Sequence, residues 1–273
     1  VELDQDRLRS ILEAEHSYYG SAEPKFGNEG WPNPGARDFI GSLLQQTMHV
    51  LDLGCGSGST LLEHATLFAS GVGLDQNPVH LALAEAARAE RGVDNVRFIN
   101  LDAVELPRQG WESRFDLVFS ERGPIGYDSR SVQAALSVLR VGGFLFCEVI
   151  GELHHQEVRE IFELRPRTNQ VIRMADQVRV AMERNGVGIR LAADLVSKRL
   201  YASVYDWLQF QCSIWAWGGR PFPTADDPRF RLFAERNSRA TGEIETTHHV
   251  VWVGGVKLAE PPPYAEAAHF PIA

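Results

Sequence analysis

"VLDLGCGSGSTLL", residues 50–62, joins an apolar run interrupted by one carboxylate, Asp52, to three glycines on alternate positions, Gly54, Gly56 and Gly58. An apolar run followed by so little side chain reads as a buried strand whose end lets backbone amides approach a ligand closely. A helix opening at about Ser59 aims further amides, and the positive end of its dipole, at the same spot. The ligand expected there carries a carboxylate or a polyol. The spacing departs from the dinucleotide pattern G-x-G-x-x-G, because Ser59 stands where the third glycine belongs.

On both sides of this junction the pattern repeats in kind. Helices over 36–46, 59–69, 77–91 and 129–140 alternate with strands over 48–53, 71–75, 95–100, 115–119 and 143–150. "FDLVFS" (115–120) and "GFLFCEVI" (143–150) are apolar at nearly every position, which suits parallel strands covered on both faces. Gly142 and Gly143 are read as the stop of the helix before them. The fold class is a doubly wound, mostly parallel α/β sheet.

Ahead of it, Leu3, Leu8, Ile11 and Leu12 fall at helical spacing, and "GSAEPKFGNEGWPNPG" (20–35) reads as a loop carrying Phe26 and Trp31. Beyond residue 150 an Arg-rich stretch (151–170) leads to a helix over 171–185 and a strand-like run "GIRLAADLVSKRLY" (188–201). An aromatic insertion (about 201–242) and a final strand "TTHHVVWVGGVK" (246–257) follow, and "EPPPY" (260–264) starts a surface tail. The organisation expected is a helix and lid loop over 1–35, one domain over 36–260 with the 201–242 insertion in its lid or pocket, and a tail over 261–273.

With 273 residues, 44% hydrophobic and 23% charged, the chain suffices for one large domain. Its net charge of -9 is concentrated in the first 150 residues, whereas residues 151–200 are slightly basic. Generic affinity for nucleic acid or an anionic membrane is thereby disfavoured. Cys55, Cys147 and Cys212 lack metal-ligand spacing and are read as reduced thiols of a cytoplasmic protein. No stretch approaches the roughly 18 apolar residues of a membrane span, and "VELDQDRLRS" is too acidic for a signal peptide.

Two further carboxylates give the glycine loop its weight. Asp75 ends a strand in "GVGLDQNP" (71–78), where it can accept from two vicinal ribose hydroxyls. Asp102 ends the next in "VRFINLDAVELP" (96–107), within reach of an exocyclic amine. Ligands of open α/β sheets bind at that edge.

In this order and spacing, "VLDLGCGSG", "GVGLDQNP", "NLDAVELP", "FDLVFSERG" and "LRVGGFLFCEV" resemble the class I S-adenosylmethionine-dependent methyltransferases over about residues 36–150. The resemblance implies that Asp52 and the amides around Gly54, Cys55 and Gly56 hold the methionyl amine and carboxylate of S-adenosyl-L-methionine. It places Asp75 at the ribose and Asp102 with Ala103 at the adenine, and adds Gln76 and Ser120 to the same cofactor set. It also implies a seven-stranded Rossmann-like sheet in the order 3-2-1-4-5-7-6, strand 7 antiparallel, and S-adenosyl-L-homocysteine as product.

Methyl transfer from a sulfonium asks for an acceptor lone pair held in line with water excluded. A base helps only when the acceptor's proton has a high pKa. In the family's fold the residues after the fourth strand face the donor methyl, here Ser120, Glu121, Arg122 and Gly123. Glu121 is a candidate base or acceptor-orienting group, and equally a cofactor contact. Neither the Asn/Asp-Pro-Pro-Tyr/Phe signature nor a Pro-Cys nucleophile stands there, so nucleobase methylation is poorly supported.

His154 and His155 follow the fifth strand, and one of them is expected in the substrate cavity; His154 and His16 complete the catalytic candidates. His248 and His249 read as one surface and one core residue. Neighbours on a strand point to opposite faces, so neither pair is set to chelate a metal, and no metal site is expected. The aromatics of "YASVYDWLQFQCSIWAWGGRPFP" (201–223) either pack the insertion onto the sheet or wall an apolar acceptor pocket.

These features point to S-adenosylmethionine-dependent methyl transfer to an O or N atom of a small molecule. Methylation of tRNA or rRNA, supported only by the Arg-rich 151–200 region, and a non-catalytic donor-binding subunit are the alternatives. A nicotinamide-dependent oxidoreductase conflicts with the shifted third glycine and with Asp52.

Overall fold

Acidic and amide side chains placed just before apolar-periodic stretches set the helix starts. Asp4, Asn77, Asp128 and Asp227 each accept first-turn amides, and Pro78 and Pro228 follow two of them at the first helical position. The computed structural model describes residues 2–15, 27–29, 35–162, 171–217 and 219–259. The chain runs through α1 (Gln5–Glu13), β1 (Gly27–Glu29), α2 (Ala36–Leu43), β2 (His49–Leu53), α3 (Ser59–Glu63), β3 (Ser70–Asp75), α4 (Pro78–Glu90) and β4 (Val96–Asn100). It continues through β5 (Phe115–Glu121), α5 (Ser129–Val138), β6 (Leu139–Ile150), α6 (Gln156–Ile161), α7 (Val171–Arg184), β7 (Val187–Tyr201), α8 (Val204–Trp217), α9 (Pro228–Asn237) and β8 (Ile244–Lys257).

The strands form one sheet in the order β1-β7-β8-β6-β5-β2-β3-β4. Read from β4 and leaving β1 aside, this is the 3-2-1-4-5-7-6 order with its seventh strand, β8, antiparallel to β6. β2, β3, β4, β5 and β6 are mutually parallel. The order reverses between β2 and β5, and there the crevice of an open α/β sheet lies.

Three features depart from the sequence reading. Gly27–Glu29, inside the stretch read as loop, pairs antiparallel with Lys198–Leu200 as an eighth, edge strand; Gly-Asn-Glu has little strand propensity, so the partner imposes the conformation. The helix expected over 59–69 ends at Glu63 and gives way to a 3-10 turn, Ala65–Leu67, which returns the chain to β3. Gly142 and Gly143 do not stop a helix: α5 ends at Val138 and both glycines lie inside β6. Phe115 pairs with Leu139 and Leu117 with Phe144, so the exposed residues 140–142 bulge from the ladder and Gly142 supplies the φ of 82° that the bulge needs.

The chain divides into two compact units. The nucleotide-fold unit (33–152, 168–195, 250–273) has an aliphatic core that includes Leu51, Val72, Val118, Leu136, Leu145 and Met182. Its central strands β2, β3 and β5 are buried at nearly every position, as strands covered on both faces are. Lys257 is fully buried there, and its ammonium donates to Leu136 O at 2.9 Å and Leu139 O at 2.8 Å, placing a cation on the carbonyl end of α5.

The aromatic unit (1–32, 153–167, 196–249) gathers α1, α6, α8 and α9 about a different kind of core. Trp207 stacks on Phe233 at 3.9 Å, and Phe162 meets Trp207, Trp215, Phe230 and Phe233 within 6.1 Å. These rings are all buried. Core packing is therefore what the aromatic insertion spends them on.

Among the described residues no helix is long and apolar enough to cross a membrane.

Candidate functional site

β2 and β3 run in register, Asp52 beside Gly73 and Leu53 beside Leu74. The chain leaves β2 at Gly54 with a φ of 80°, where a Cβ would stand 2.9 Å from Pro124 Cδ and 3.2 Å from Gly123 Cα. Only glycine lets the end of β2 lie this close to the segment after β5. Gly56, with a φ of 53°, is the opposite case: the space its side chain would fill is open.

The loop amides that the sequence offered as ligand donors are used within the fold. Those of Gly54 and Cys55 both donate to Leu74 O, at 2.8 and 2.9 Å, and that of Gly56 to Asp75 Oδ2 at 2.9 Å. Asp75 Oδ1 accepts Asn77 N at 2.8 Å and faces His80 Nδ1 at 3.4 Å. Since a carboxylate offers about four lone-pair sites, Asp75 retains capacity for a pair of hydroxyls while bracing the glycine loop.

Asp52 is buried, and its carboxyl is held well above the ordinary carboxylate range. Burial is the main cause, the negative charges of Glu121 and Asp75 add to it, and Arg37 opposes it. Three acidic side chains thus converge beside an open backbone. This arrangement fits a cationic nucleoside with an ammonium and a sulfonium, whose charge lowers the cost of ionising Asp52.

The segment after β5 forms the facing wall. Ser120 is fully buried and its hydroxyl donates to Leu53 O at 2.8 Å, tying the end of β5 to the end of β2. Glu121 Oε1 accepts the Thr60 hydroxyl at 2.5 Å, which directs its carboxylate to α3. Arg122 has a φ of 55°, a left-handed conformation that costs a non-glycine residue about 1–2 kcal/mol.

Asp102 and Gln76 are exposed at the ends of their strands, and Ala103 is buried. Asp102 Oδ1 accepts Val104 N at 3.0 Å and caps the 3-10 turn Ala103–Arg108. The Cys55 thiol is pushed far up by burial, then by Asp52 and Asp75, so it is no thiolate. Burial likewise pushes Cys147 and Cys212 to about 12.

Arg37 carries no signal in its sequence context, yet it is part of the site. From the first turn of α2 it donates to Ser59 Oγ at 3.1 Å and pairs with Glu63 at 3.3 Å, over the opening of α3. Thr60 was equally silent. Tertiary contact alone assembles these two with Asp52 and Glu121.

His154 belongs to the aromatic unit, and His16 lies outside the described residues, as do Phe26 and Trp31. The histidines after β6 do not alternate across a strand as expected. They occupy a turn in which His155 takes a φ of 51°, so the two rings stack in parallel at 4.2 Å, with His248 edge-on to His154 at 4.8 Å. His154 Nδ1 accepts His249 N at 3.3 Å, while His249 Nδ1 accepts Leu153 N at 3.0 Å. His155 N donates to Thr247 O at 2.8 Å, and Glu157 accepts both Thr247 N and its hydroxyl. The turn thus saturates the edge of β8 where β6 has ended. His248 and His249 are both buried, in place of one surface and one core residue.

Among the described residues no three His, Cys, Asp or Glu side chains gather as a metal ion would require.

Residues 44–201 match the family model described as "Methyltransferase domain". A search of curated proteins finds no match. Among solved structures, the YcgJ protein of Bacillus subtilis is similar at 16% identity and a TM-score of 0.57, over 82% of this chain and 98% of that one. A geranyl diphosphate methyltransferase in complex with S-adenosylmethionine shares 14% identity at a TM-score of 0.50, over 81% and 84%. The [4+2]-cyclase SpnF shares 18% at 0.51, over 92% of each chain.

Proposed function

We propose, from the premise that the chain belongs to the methyltransferase domain family, that this protein moves the methyl group of S-adenosyl-L-methionine to an O or N atom of a small molecule. The observation that carries the reading is the convergence of Asp52, Asp75 and Glu121 on an open glycine loop at the sheet's switch point. When bound, the cofactor supplies a methyl group activated on a sulfonium.

The chain's own residues bind, orient and neutralise. Asp75 accepts from the ribose hydroxyls, and Asp52 with Glu121 attracts the methionyl ammonium. Arg37 is the cation available to the methionyl carboxylate. Asp102 and Ala103 take the adenine, with Gln76 beside them. Glu121, bonded to Thr60 and set against Asp52, serves the donor; a role as base toward the acceptor would have to be played from that position.

The acidic surface charge supports a small acceptor over tRNA or rRNA, and a cytoplasmic location belongs to the same proposal. Because one structural neighbour is a cyclase, binding and transfer are tested separately. Calorimetry with S-adenosylmethionine and S-adenosylhomocysteine is expected to show saturable binding of both. Transfer of labelled methyl to a metabolite panel is expected to show turnover that is insensitive to tRNA. Binding without any acceptor-dependent turnover would reassign the protein as a non-catalytic donor-binding subunit, and turnover on tRNA that falls steeply with salt would reassign the acceptor.

A further inference from the structure

The hydrogen bond from the Thr60 hydroxyl to Glu121 Oε1, 2.5 Å long, joins α3 to the end of β5 across 61 residues of chain. α3 opens directly after the glycine loop that ends β2, so the bond spans the β2–β5 boundary where the strand order reverses. A ligand seated in that crevice lies beside it.

Glu121 is held differently from Glu63, Glu85, Asp116 and Glu245, each of which is paired with a guanidinium or an ammonium. Among the described residues it has no such cation, and the Thr60 hydroxyl is the hydrogen-bond donor that fixes its direction. Its negative charge instead opposes ionisation of Asp52. A half-buried carboxylate beside a second acid gains when a cation arrives.

Thr60 is itself immobilised. It is 4% exposed, and its β-branched side chain has few rotamers. On either side of it Arg37 donates to Ser59 Oγ at 3.1 Å and pairs with Glu63 at 3.3 Å. His64 N donates to Thr60 O at 3.3 Å, and His64 Nε2 lies 3.1 Å from Arg37 O. α2 thus clamps the turn that carries the hydroxyl, and the direction of Glu121 is set before any ligand binds.

S-adenosylmethionine and S-adenosylhomocysteine share the ammonium, carboxylate, ribose and adenine, and differ by one methyl group and one positive charge. Groups that recognise the shared parts cannot separate the two, because specificity is a difference of affinities. A fixed carboxylate with no cation of its own responds to the charge that differs.

We propose that Glu121 is a specificity-determining residue that favours the sulfonium donor over its thioether product, and that Thr60 is the residue that positions it. This rests on the methyltransferase reading of the same site. Loss of the methyl group leaves a neutral thioether that Glu121 attracts less, which favours product release.

Calorimetry with both ligands on the wild type, Glu121→Gln, Thr60→Val and the double variant tests this. Glu121→Gln removes the charge and keeps the Thr60 bond, whereas Thr60→Val keeps the charge and removes the bond. In each, S-adenosylmethionine affinity should fall by about twofold to threefold while S-adenosylhomocysteine affinity stays within about 1.5-fold. The double variant should lose no more of the preference than Glu121→Gln, since Thr60 acts through Glu121, and Thr60→Ser should restore it.

If Thr60→Val does not fold, Thr60→Ala replaces it. A parallel loss of both ligands, an unchanged preference in Glu121→Gln, or additive effects of the two substitutions each overturns the proposal. A wild type that binds neither ligand overturns the donor reading instead.

Discussion

The two units solve the same packing problem with different residues. The nucleotide-fold unit fills its core mainly with Val, Leu and Ala from its central strands and from α5. The aromatic unit builds its core largely from rings carried on α6, α8 and α9, with Trp207 stacked on Phe233 at its centre. Regular layers leave a crevice at a position set by strand order. Aromatic clusters leave their openings wherever the rings happen not to meet. Strand order thus fixes the crevice of the first unit, whereas an opening of the second, lined by Arg9, Leu12, Glu13 and Phe222 among others, follows no such rule.

The largest effect that would break this contrast is Trp207→Ala. Removing a fully buried, stacked indole should cost about 3–5 kcal/mol in urea unfolding. A loss below about 1 kcal/mol would mean that the rings line a cavity and do not form a core.

Asp75→Ala comes next, because it removes both the proposed ribose acceptor and the brace on Gly56. S-Adenosylhomocysteine affinity should fall by about tenfold or more, about 1.5 kcal/mol or above, by calorimetry. Near-wild-type affinity would detach the donor from β3.

Asp52→Asn should weaken donor binding by about 0.5–1.5 kcal/mol, as for one hydrogen bond, yet stabilise the ligand-free protein near neutral pH. Asp52 binds its proton more tightly folded than unfolded. Its contribution to stability is therefore present below the ordinary carboxylate pKa and lost as pH rises through the raised folded value. Thermal melts across that window should fall with pH in the wild type relative to Asp52→Asn; parallel curves would show that Asp52 ionises normally.

The smallest expected effect is that of Glu121→Gln, which keeps the Thr60 bond. Donor affinity and turnover should drop together, by about twofold to threefold. Turnover falling alone would return Glu121 to the role of base.

Much of the nucleotide-fold unit was legible because its signals are local. A strand buried on both faces is an uninterrupted apolar run, and an acid at its end is visible as such, so Asp52, Asp75 and Asp102 emerge from spacing. Three local signals misled for the same reason. Gly142 and Gly143 resemble a helix stop, yet the bulge between β5 and β6 uses them. The loop glycines resemble amide donors, yet Leu74 O and Asp75 occupy those amides. The pair His154–His155 resembles strand neighbours, yet a left-handed turn stacks the rings.

By itself the sequence determined the succession of β2 to β6 and the acidic strand ends, because periodicity and chain order are properties of neighbours along the chain, while the switch point came with the family resemblance. Only the tertiary structure decided that Arg37 and Thr60 join Asp52 and Glu121, and that the aromatic insertion is spent on a core. Those pairings join residues far apart in sequence. Their formation depends on burial and charge in three dimensions, which no local pattern encodes.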